Sequence, residues 1–395
     1  MRVKTSFQIV WLNLFLPALF LGCVNEYTVR GVDGLSDLLV VEGFITEPES
    51  TFKLSRSIDI SEPYGIYPEE TEVSVLYVEC NDGSRTGPAT HIGSGEYRVE
   101  TGNLDIGKQY RLYFRLNNGE EYASEFLTPL ITPEIDAIHY IKPASGEPVQ
   151  ICVNTKDEKD QSRYFFWSYV EDWEVWAALQ ADYGLDDENV IYKFEPPYNT
   201  YYCWGHNISK SLLLGSTTDL SENKISNHSL LEISPYNEKF SVLYHIRIYQ
   251  NLIRKEAYDY FYNLLKNTDQ NSGLFTSMPT EIKGNIRNLS QPDMPVIGYV
   301  DVSTTTTSTR FIDYSEGLFE RSASYNNIFR LCDEEEMLGA PSGKRPPEIA
   351  LVGYIPYTLT EEQVQMIYKP RECVDCRTKS QATKNKPDFW PGDRQ

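Results

Sequence analysis

Short segments of alternating apolar and polar residues, separated by turn signals, fill most of this sequence from residue 38 onward. Thr51-Phe52-Lys53-Leu54-Ser55 alternates strictly, as a strand with one buried face does. Asn81-Asp82-Gly83 and Asn117-Asn118-Gly119 are typical of tight hairpins, in which glycine supplies the positive φ. Turn signals recur about every ten residues, which is typical of antiparallel sheets rather than of alternating strands and helices. We therefore predict a mainly β protein.

The charge balance excludes one class of function. The 395 residues include 36 basic and 57 acidic side chains, which gives a formal net charge of −21. A protein whose affinity depends on neutralising phosphates needs the opposite balance, so we predict no nucleic-acid partner. The 28 tyrosines, against 5 methionines, also favour pleated, half-buried strands.

The amino terminus resembles an export signal. Arg2 and Lys4 precede a mostly apolar run over residues 7–21, which is too short and too interrupted for a membrane-spanning helix. The run ends at Gly22-Cys23, which resembles the bacterial lipoprotein processing box. We therefore predict a signal peptide over residues 1–22 and a diacylated Cys23. Ordinary signal cleavage, which lacks an Ala-x-Ala-like site here, and an uncleaved anchor are the alternatives.

The rest of the chain divides into predicted modules. Residues 23–37 are a tether, 38–128 form an immunoglobulin- or fibronectin-type β-sandwich, and 129–320 form a second one. Residues 321–395 form a loop-rich C-terminal segment.

Several elements are predicted inside the second module. Residues 163–170 carry apolar side chains at both odd and even positions, hence on both faces of a strand, which indicates a central strand. A long insertion is predicted to follow at about 171–202. Residues 294–302 and 309–314 are predicted to form a strand pair. One amphipathic helix is predicted at about 255–267, because Ala257, Phe261, Leu264 and Leu265 share one helical face.

Six cysteines besides Cys23 permit disulfides in an exported chain: Cys80, Cys152, Cys203, Cys332, Cys373 and Cys376. The Cys-x-x-Cys pair at 373 and 376 lacks the βαβ context of a redox couple and the second ligand pair of a zinc site. We therefore predict a structural bond, either Cys373 with Cys376 or one of them with Cys203 or Cys332.

A set of motifs in a fixed order links the chain to a known family. They are Leu39-Val40-Val41-Glu42-Gly43-Phe44-Ile45-Thr46, Cys203-Trp204, Gly284-Asn285-Ile286, Val296-Ile297-Gly298-Tyr299, Cys373-x-x-Cys376-Arg377 and Lys386-Pro387-Asp388-Phe389-Trp390. In this order they resemble the Bacteroidota lipoprotein family known as domain of unknown function 4249. The resemblance implies an exported protein whose gene often neighbours a TonB-dependent outer-membrane receptor, and it supplies no catalytic residues.

Reactive motifs are scarce. The sequence has no G-x-S-x-G elbow and no phosphate-binding glycine loop. The acidic runs 186–188 and 333–336 offer paired carboxylates, but consecutive acids on a loop usually face water. The run 157–160 lacks the spacing of an EF-hand. We predict no catalytic residue, cofactor or metal, and hence no enzyme.

Aromatic residues of the insertion are the binding candidates: Trp173, Trp176, Tyr183, Tyr192, Tyr201 and Tyr202. Flat rings with polar edges suit sugars, peptides and protein interfaces if they are exposed. The alternative is that they pack over the second sheet.

These observations favour a non-catalytic lipoprotein of the outer membrane, anchored through Cys23 on its periplasmic or cell-surface face. It would bind ligand for a TonB-dependent β-barrel receptor or dock onto one. The alternative is a structural or adhesive envelope lipoprotein with the β modules as spacers.

Overall fold

The computed structural model describes residues 38–57, 71–195, 199–270 and 284–392, without the side chains of 267–270. The predicted signal peptide, the lipidation site Cys23 and the tether lie outside these residues. The chain is mainly β, with 45% strand and 13% helix, which confirms the predicted fold class. In the described part of the chain, no helix has the length and apolar character needed to cross a membrane.

The elements follow one another along the chain with few helices. The strands are β1 (Leu39–Gly43), β2 (Glu49–Arg56), β3 (Val73–Cys80), β4 (Thr90–Gly93), β5 (Glu96–Glu100), β6 (Tyr110–Leu116), β7 (Glu121–Ser124), β8 (Ile135–Ile141), β9 (Val149–Lys156), β10 (Tyr164–Trp176), β11 (Tyr183–Leu185), β12 (Ile191–Lys193), β13 (Tyr202–Ile208), β14 (Leu213–Ser216), β15 (Lys224–Ile233), β16 (Leu243–Ile253), β17 (Ile286–Asn288), β18 (Thr305–Asp313), β19 (Met337–Gly339), β20 (Tyr354–Leu359), β21 (Met366–Pro370) and β22 (Ala382–Thr383). The helices are α1 (Lys255–Gln270), α2 (Ala323–Glu334), α3 (Pro347–Leu351) and α4 (Arg371–Val374).

Two four-stranded antiparallel sheets form the N-terminal module, in the orders β1-β2-β5-β4 and β17-β7-β6-β3. Phe52 and Leu54 of β2 are fully buried, whereas Thr51 and Lys53, which alternate with them, are exposed. This alternation is the pattern that the sequence showed. The predicted hairpin at Asn117-Asn118-Gly119 also forms, and Gly119 takes its positive φ of 92° between β6 and β7.

The N-terminal module also takes in a segment that we had assigned to the second one. Strand β17 pairs with β7, and the backbone N–H of Val41 donates to the carbonyl of Ile297 at 2.8 Å. Residues 294–302 therefore lie against β1, and the predicted pairing with 309–314 is wrong, since β18 pairs with β16. Val300 and Val302 are fully buried in the N-terminal core, which stabilises this long-range arrangement.

The second module is built around strand β10. The order of the large sheet is β18-β16-β10-β13-β22, with β14 also paired to β10, and a sheet of order β15-β9-β8 faces it. Phe165 and Trp167 of β10 are fully buried between the sheets, whereas Phe166 points into a separate cluster around α1. The central strand predicted at 163–170 is thus covered on both faces. It continues to Trp176, so the insertion begins six residues later than predicted.

Helix α1 forms where the apolar stripe predicted it and lies at the junction of the two modules. Ala257 and Phe261 pack with Phe44 of the N-terminal module and with Phe166 of β10. The helix therefore buries its apolar face against both modules rather than against the second sheet alone.

A buried ion pair fixes the start of this helix. Asp301 is fully buried and forms a salt bridge with the guanidinium of Arg254, which also donates to the carbonyl of Thr128. The backbone N–H of Arg254 donates to Asp301 at 2.8 Å. Burial raises the pKa of the Asp301 carboxyl, against the opposing effect of Arg254.

The C-terminal segment, predicted to be loop-rich, has more regular structure than expected. Helix α2 begins at the N-cap Ser322, and β19, β21 and β20 form a three-stranded sheet. These elements are short and flanked by polar residues, so the periodicity of their apolar residues was too weak to predict them. Disulfides rather than a large hydrophobic core hold them in place.

Two disulfides order this segment, and one of them ties it to the second module. Cys203 of β13 bonds Cys376, and Cys332 of α2 bonds Cys373. Thus the two cysteines of the Cys-x-x-Cys motif do not bond each other, and each is tied to one of the two distant cysteines considered. Cys80 and Cys152 are free and buried.

The Arg254–Asp301 pair generates a prediction. Replacing Arg254→Gln leaves a buried carboxylate without its counter-charge, which we expect to lower the free energy of unfolding at pH 7 by about 3–5 kcal/mol. The folded pKa of Asp301 lies above its unfolded pKa. Its contribution to stability is therefore fully present below the unfolded pKa and is lost as the pH rises through the folded pKa.

Urea unfolding at pH 7 and pH 5 measures both effects. The deficit of Arg254→Gln should shrink at the lower pH, and adding Asp301→Asn should restore part of the stability at pH 7. A deficit that is equal at both pH values and unchanged in the double variant would contradict the proposed role of the ion pair.

The disulfides generate a second prediction. The double variant Cys332→Ser/Cys373→Ser should lose about 2–4 kcal/mol, a typical effect of removing a native disulfide. We expect proteolysis of residues 321–392 to accelerate, as it should in the wild type after thiol reduction. Cys80→Ser is the control, because Cys80 forms no disulfide, and its cleavage pattern should still depend on the reductant. Cleavage rates that do not change with the reductant in the wild type, the double variant and Cys80→Ser would refute the prediction.

Candidate ligand-binding site

Trp173 belongs to the core and not to a surface platform. Its side chain is only 4% exposed and packs between the two sheets of the second module. The Nζ atom of Lys239 lies 4.5 Å from the centre of the ring and donates to Glu171 at 2.8 Å. The expectation of a binding role for Trp173 is therefore wrong, because β10 extends through this position and its inward-facing side chains fill the core.

Trp176, at the end of the same strand, is partly exposed. Its Nε1 donates to Glu174 at 2.6 Å, and the same carboxylate accepts from Nε1 of Trp390 at 2.9 Å. The ring of Trp176 lies 5.6 Å from Tyr201 and 5.7 Å from Tyr202, both partly exposed. Three of the six predicted aromatics thus form one cluster, fixed by a buried carboxylate.

A cavity of about 430 Å³ opens beside this cluster, and we call it the Trp176 cavity. Its aromatic walls are Trp176, Tyr201, Tyr314, Phe319, Tyr325 and Phe329. Burial raises the pKa of Tyr325 to about 12, and it also raises the pKa of Tyr201. These two phenols therefore stay neutral at physiological pH and can act as hydrogen-bond donors. A volume of this size with apolar walls and a few polar groups suits a small ligand or a protruding side chain.

The remaining two predicted aromatics lie elsewhere. Tyr183 and Tyr192 belong to the β11–β12 hairpin and line a second cavity of about 530 Å³, which we call the hairpin cavity. Tyr192 is 45% exposed, and its ring meets Phe194 edge-on at 5.4 Å. The structure therefore divides the predicted platform into one core residue and two separate cavities.

Four of the six aromatic residues in the wall of the Trp176 cavity were not among the predicted binding residues, and Tyr314 is one of them. Phe319, Tyr325 and Phe329 come from helix α2 and the residues before it. The rings of Tyr325 and Phe329 contact each other at 4.7 Å, one helical turn apart. This i,i+4 aromatic spacing, after a serine N-cap, was the available signal.

Asp172 lies between two histidines, of which His245 is buried and packs against the tail, whereas His206 is exposed. Asp172 lies 2.8 Å from Nδ1 of His206 and 3.5 Å from Nδ1 of His245. Burial pushes the pKa of Asp172 upward, but the hydrogen bonds and charges of the two histidines outweigh it and hold the pKa below its ordinary value. The ring of His245 packs against Phe311 and Phe389, both at 4.6 Å, and is closed to solvent.

The acidic runs take structural positions. Asp186 accepts the backbone N–H groups of Glu188 and Val190 and so closes the β11–β12 turn. Asp157 does the same for Lys159 and Gln161. Among the described residues, no group of three or more His, Cys, Asp or Glu side chains is placed to hold a metal ion.

The contact between Trp173 and β13 generates a prediction. A Cβ atom added at Gly205 would lie 2.1 Å from the Trp173 ring, so Gly205→Ala should destabilise the protein by about 1–3 kcal/mol through overpacking. At Gly87 no atom lies within 4 Å of such a Cβ, so Gly87→Ala is the matched control and should unfold like the wild type. Equal melting temperatures for the two variants would contradict the buried position of Trp173.

Comparison with known proteins identifies a family. The family model described as Domain of unknown function (DUF4249) matches residues 25–309. The matched range covers the N-terminal module, helix α1 and most of the second module. It ends within β18, before α2 and before three of the four disulfide-bonded cysteines. A search of curated proteins finds no match.

Proposed function

This chain belongs to the DUF4249 family, and from that premise we propose that it is a non-catalytic lipoprotein of the outer membrane. In this proposal it binds a ligand for a TonB-dependent transporter or docks onto one, on the periplasmic or cell-surface face. The observation that carries the proposal is the Trp176 cavity, in which aromatic side chains from three distant parts of the chain converge on open space.

The construction of the cavity favours recognition. Tyr201 precedes β13, whose Cys203 is bonded to Cys376, and α2 carries Cys332, which is bonded to Cys373. Rigid walls reduce the entropy that a binding site loses when it captures a partner. Phe329 remains 37% exposed on the cavity rim, where an aromatic ring can serve as an anchor for a partner.

The alternative, a spacer or adhesive envelope protein, has one observation in its favour. Trp173 is buried, as expected if the rings of the insertion only complete the second module. The partly exposed rings of Trp176, Tyr201 and Tyr202 and the exposed ring of Tyr192 favour recognition instead. We therefore keep recognition as the proposal.

The membrane anchor is proposed from the sequence around Cys23. Two acyl chains on this residue would hold the protein on the bilayer while residues 38–392 extend into water. Confinement to the membrane raises the effective concentration of the protein near a membrane partner, so modest intrinsic affinity is sufficient. The choice of a TonB-dependent receptor as partner comes from the family resemblance and not from a contact in the structure.

Fractionation and co-purification test the proposal. Cys23→Ser should move the protein from the membrane to the soluble fraction, because the acylated sulfur is lost. The tagged wild type, extracted in mild detergent, should bring down a β-barrel receptor that can be identified by mass spectrometry. Phe329→Ala should reduce the recovered receptor at least several-fold.

Tyr262→Ala is the matched control, since Tyr262 is also an exposed aromatic on a helix but lies on α1, away from the cavity. It should recover the receptor like the wild type. Continued membrane association of Cys23→Ser would contradict the anchor, and the absence of any β-barrel receptor would contradict the partner.

A further inference from the structure

The hairpin cavity has a charge opposite to that of the chain. Four cations line it, from four separate places in the C-terminal segment: Arg345, Arg371, Arg377 and Lys384. Among the described residues that line it, Asp375 is the one acidic side chain. The chain as a whole has a net charge of −21, so this concentration of positive charge is local.

The acid does not neutralise the cavity. Asp375 is fully buried and is shared by two arginines: Arg377 donates Nε and Nη2 at 2.8 Å each, and Arg371 donates Nε at 3.1 Å. Burial pushes the pKa of Asp375 upward, but the hydrogen bonds from Arg377 outweigh it and keep the carboxylate ionised. One negative charge therefore orients two positive ones, and an excess of positive charge remains.

The arginines stay accessible although they are held in place. The side chains of Arg371 and Arg377 are 57% and 49% exposed. Arg345 is fixed from behind, because it donates to the carbonyl of Tyr354 and to Oδ1 of Asn189, both at 2.9 Å. Planar guanidinium groups in fixed orientations suit the two oxygens of a carboxylate.

The pKa of Lys384 is affected by the same positive charge. Its Nζ donates to the carbonyl of Tyr202, and desolvation together with repulsion from Arg377 lowers its pKa. A bound anion would raise the pKa of Lys384 by stabilising its charged form. The charged lysine would in turn stabilise the bound anion.

Aromatic rings form the opposite wall. Tyr183, Tyr192 and Phe194 line the cavity from the hairpin. Rings of this kind pack against the apolar faces of sugars, and tyrosine adds a hydroxyl at its edge. The volume of about 530 Å³ lies within the range of small-ligand sites.

We propose that the hairpin cavity binds a carboxylated saccharide, with the carboxylate on Arg371 and Arg377 and the sugar ring on Tyr192. The inference rests on the proposed function, since it gives the ligand class of a binding protein. The net negative charge of the remaining surface opposes long polyanions, whereas a short acidic sugar meets only the cationic cavity.

Calorimetric titration of the full-length protein in mild detergent tests this ligand class. The probes are trigalacturonate and its methyl ester, 3′-sialyllactose and lactose, and inorganic phosphate. At least one acidic sugar should bind at least tenfold more tightly than its neutral counterpart, and its affinity should fall as sodium chloride increases. Phosphate alone should bind more weakly than that sugar, because it cannot use the aromatic wall.

Variants locate the site. Arg371→Gln and Tyr192→Ala should each lower the affinity for the acidic sugar about tenfold or more. Arg98→Gln, which removes an exposed arginine of the N-terminal module that pairs with Glu49, should leave the affinity unchanged. Thermal melting checks that every variant is folded.

Three results would overturn the inference: acidic and neutral sugars that bind alike or not at all, phosphate that binds as tightly as the sugars, or equal losses in Arg371→Gln and Arg98→Gln. The titration needs no membrane partner. Its failure is therefore distinguishable from failure of the proposed function, which the fractionation and the receptor recovery decide.

Discussion

The backbone pairing of strand β10 supports the rest of the structure. From Tyr164 to Glu174 it pairs with β16, while its ends also pair with β14 and β13. Its inward side chains fill the core of the second module, and Phe166 on the other face contacts the helix between the modules. The strand ends at Trp176, where the core gives way to a cavity. A change that displaced this strand would therefore alter both the fold and the candidate site.

The two disulfides determine where the C-terminal segment can lie. The Cys203–Cys376 bond closes a separation of 173 residues and joins the segment to β13, which pairs with β10. The Cys332–Cys373 bond holds helix α2 against the same region. Residues that are remote in the sequence thus become opposite walls of two cavities. This segment is too short for a large core of its own, and covalent bonds supply the order that hydrophobic burial does not.

The sequence pattern predicted the strands, turns and helix that depend mainly on residues close together in the chain. The alternation of apolar and polar residues predicted the antiparallel strands. The Asn-Gly turn after β6 and helix α1 both formed where they were predicted, and the run of residues that is apolar at consecutive positions became strand β10. The placement of residues 286–302 in the first module was not predictable, because choosing between two sheets is a long-range decision. The cationic lining could not be foreseen either, since Arg345, Arg371, Arg377 and Lys384 follow no repeat and the disulfide pairing brings them together.

The central proposal is that the two cavities formed by the insertion and the C-terminal segment are both occupied when the protein is in its native membrane. Hydroxyl-radical footprinting of the protein in native outer membranes, compared with the purified protein, tests it most directly. Tyr192 and Phe329 should be oxidised more slowly in the membrane, whereas Tyr262 on α1 should react equally in both samples. Equal oxidation of all three side chains in the two samples would contradict the account.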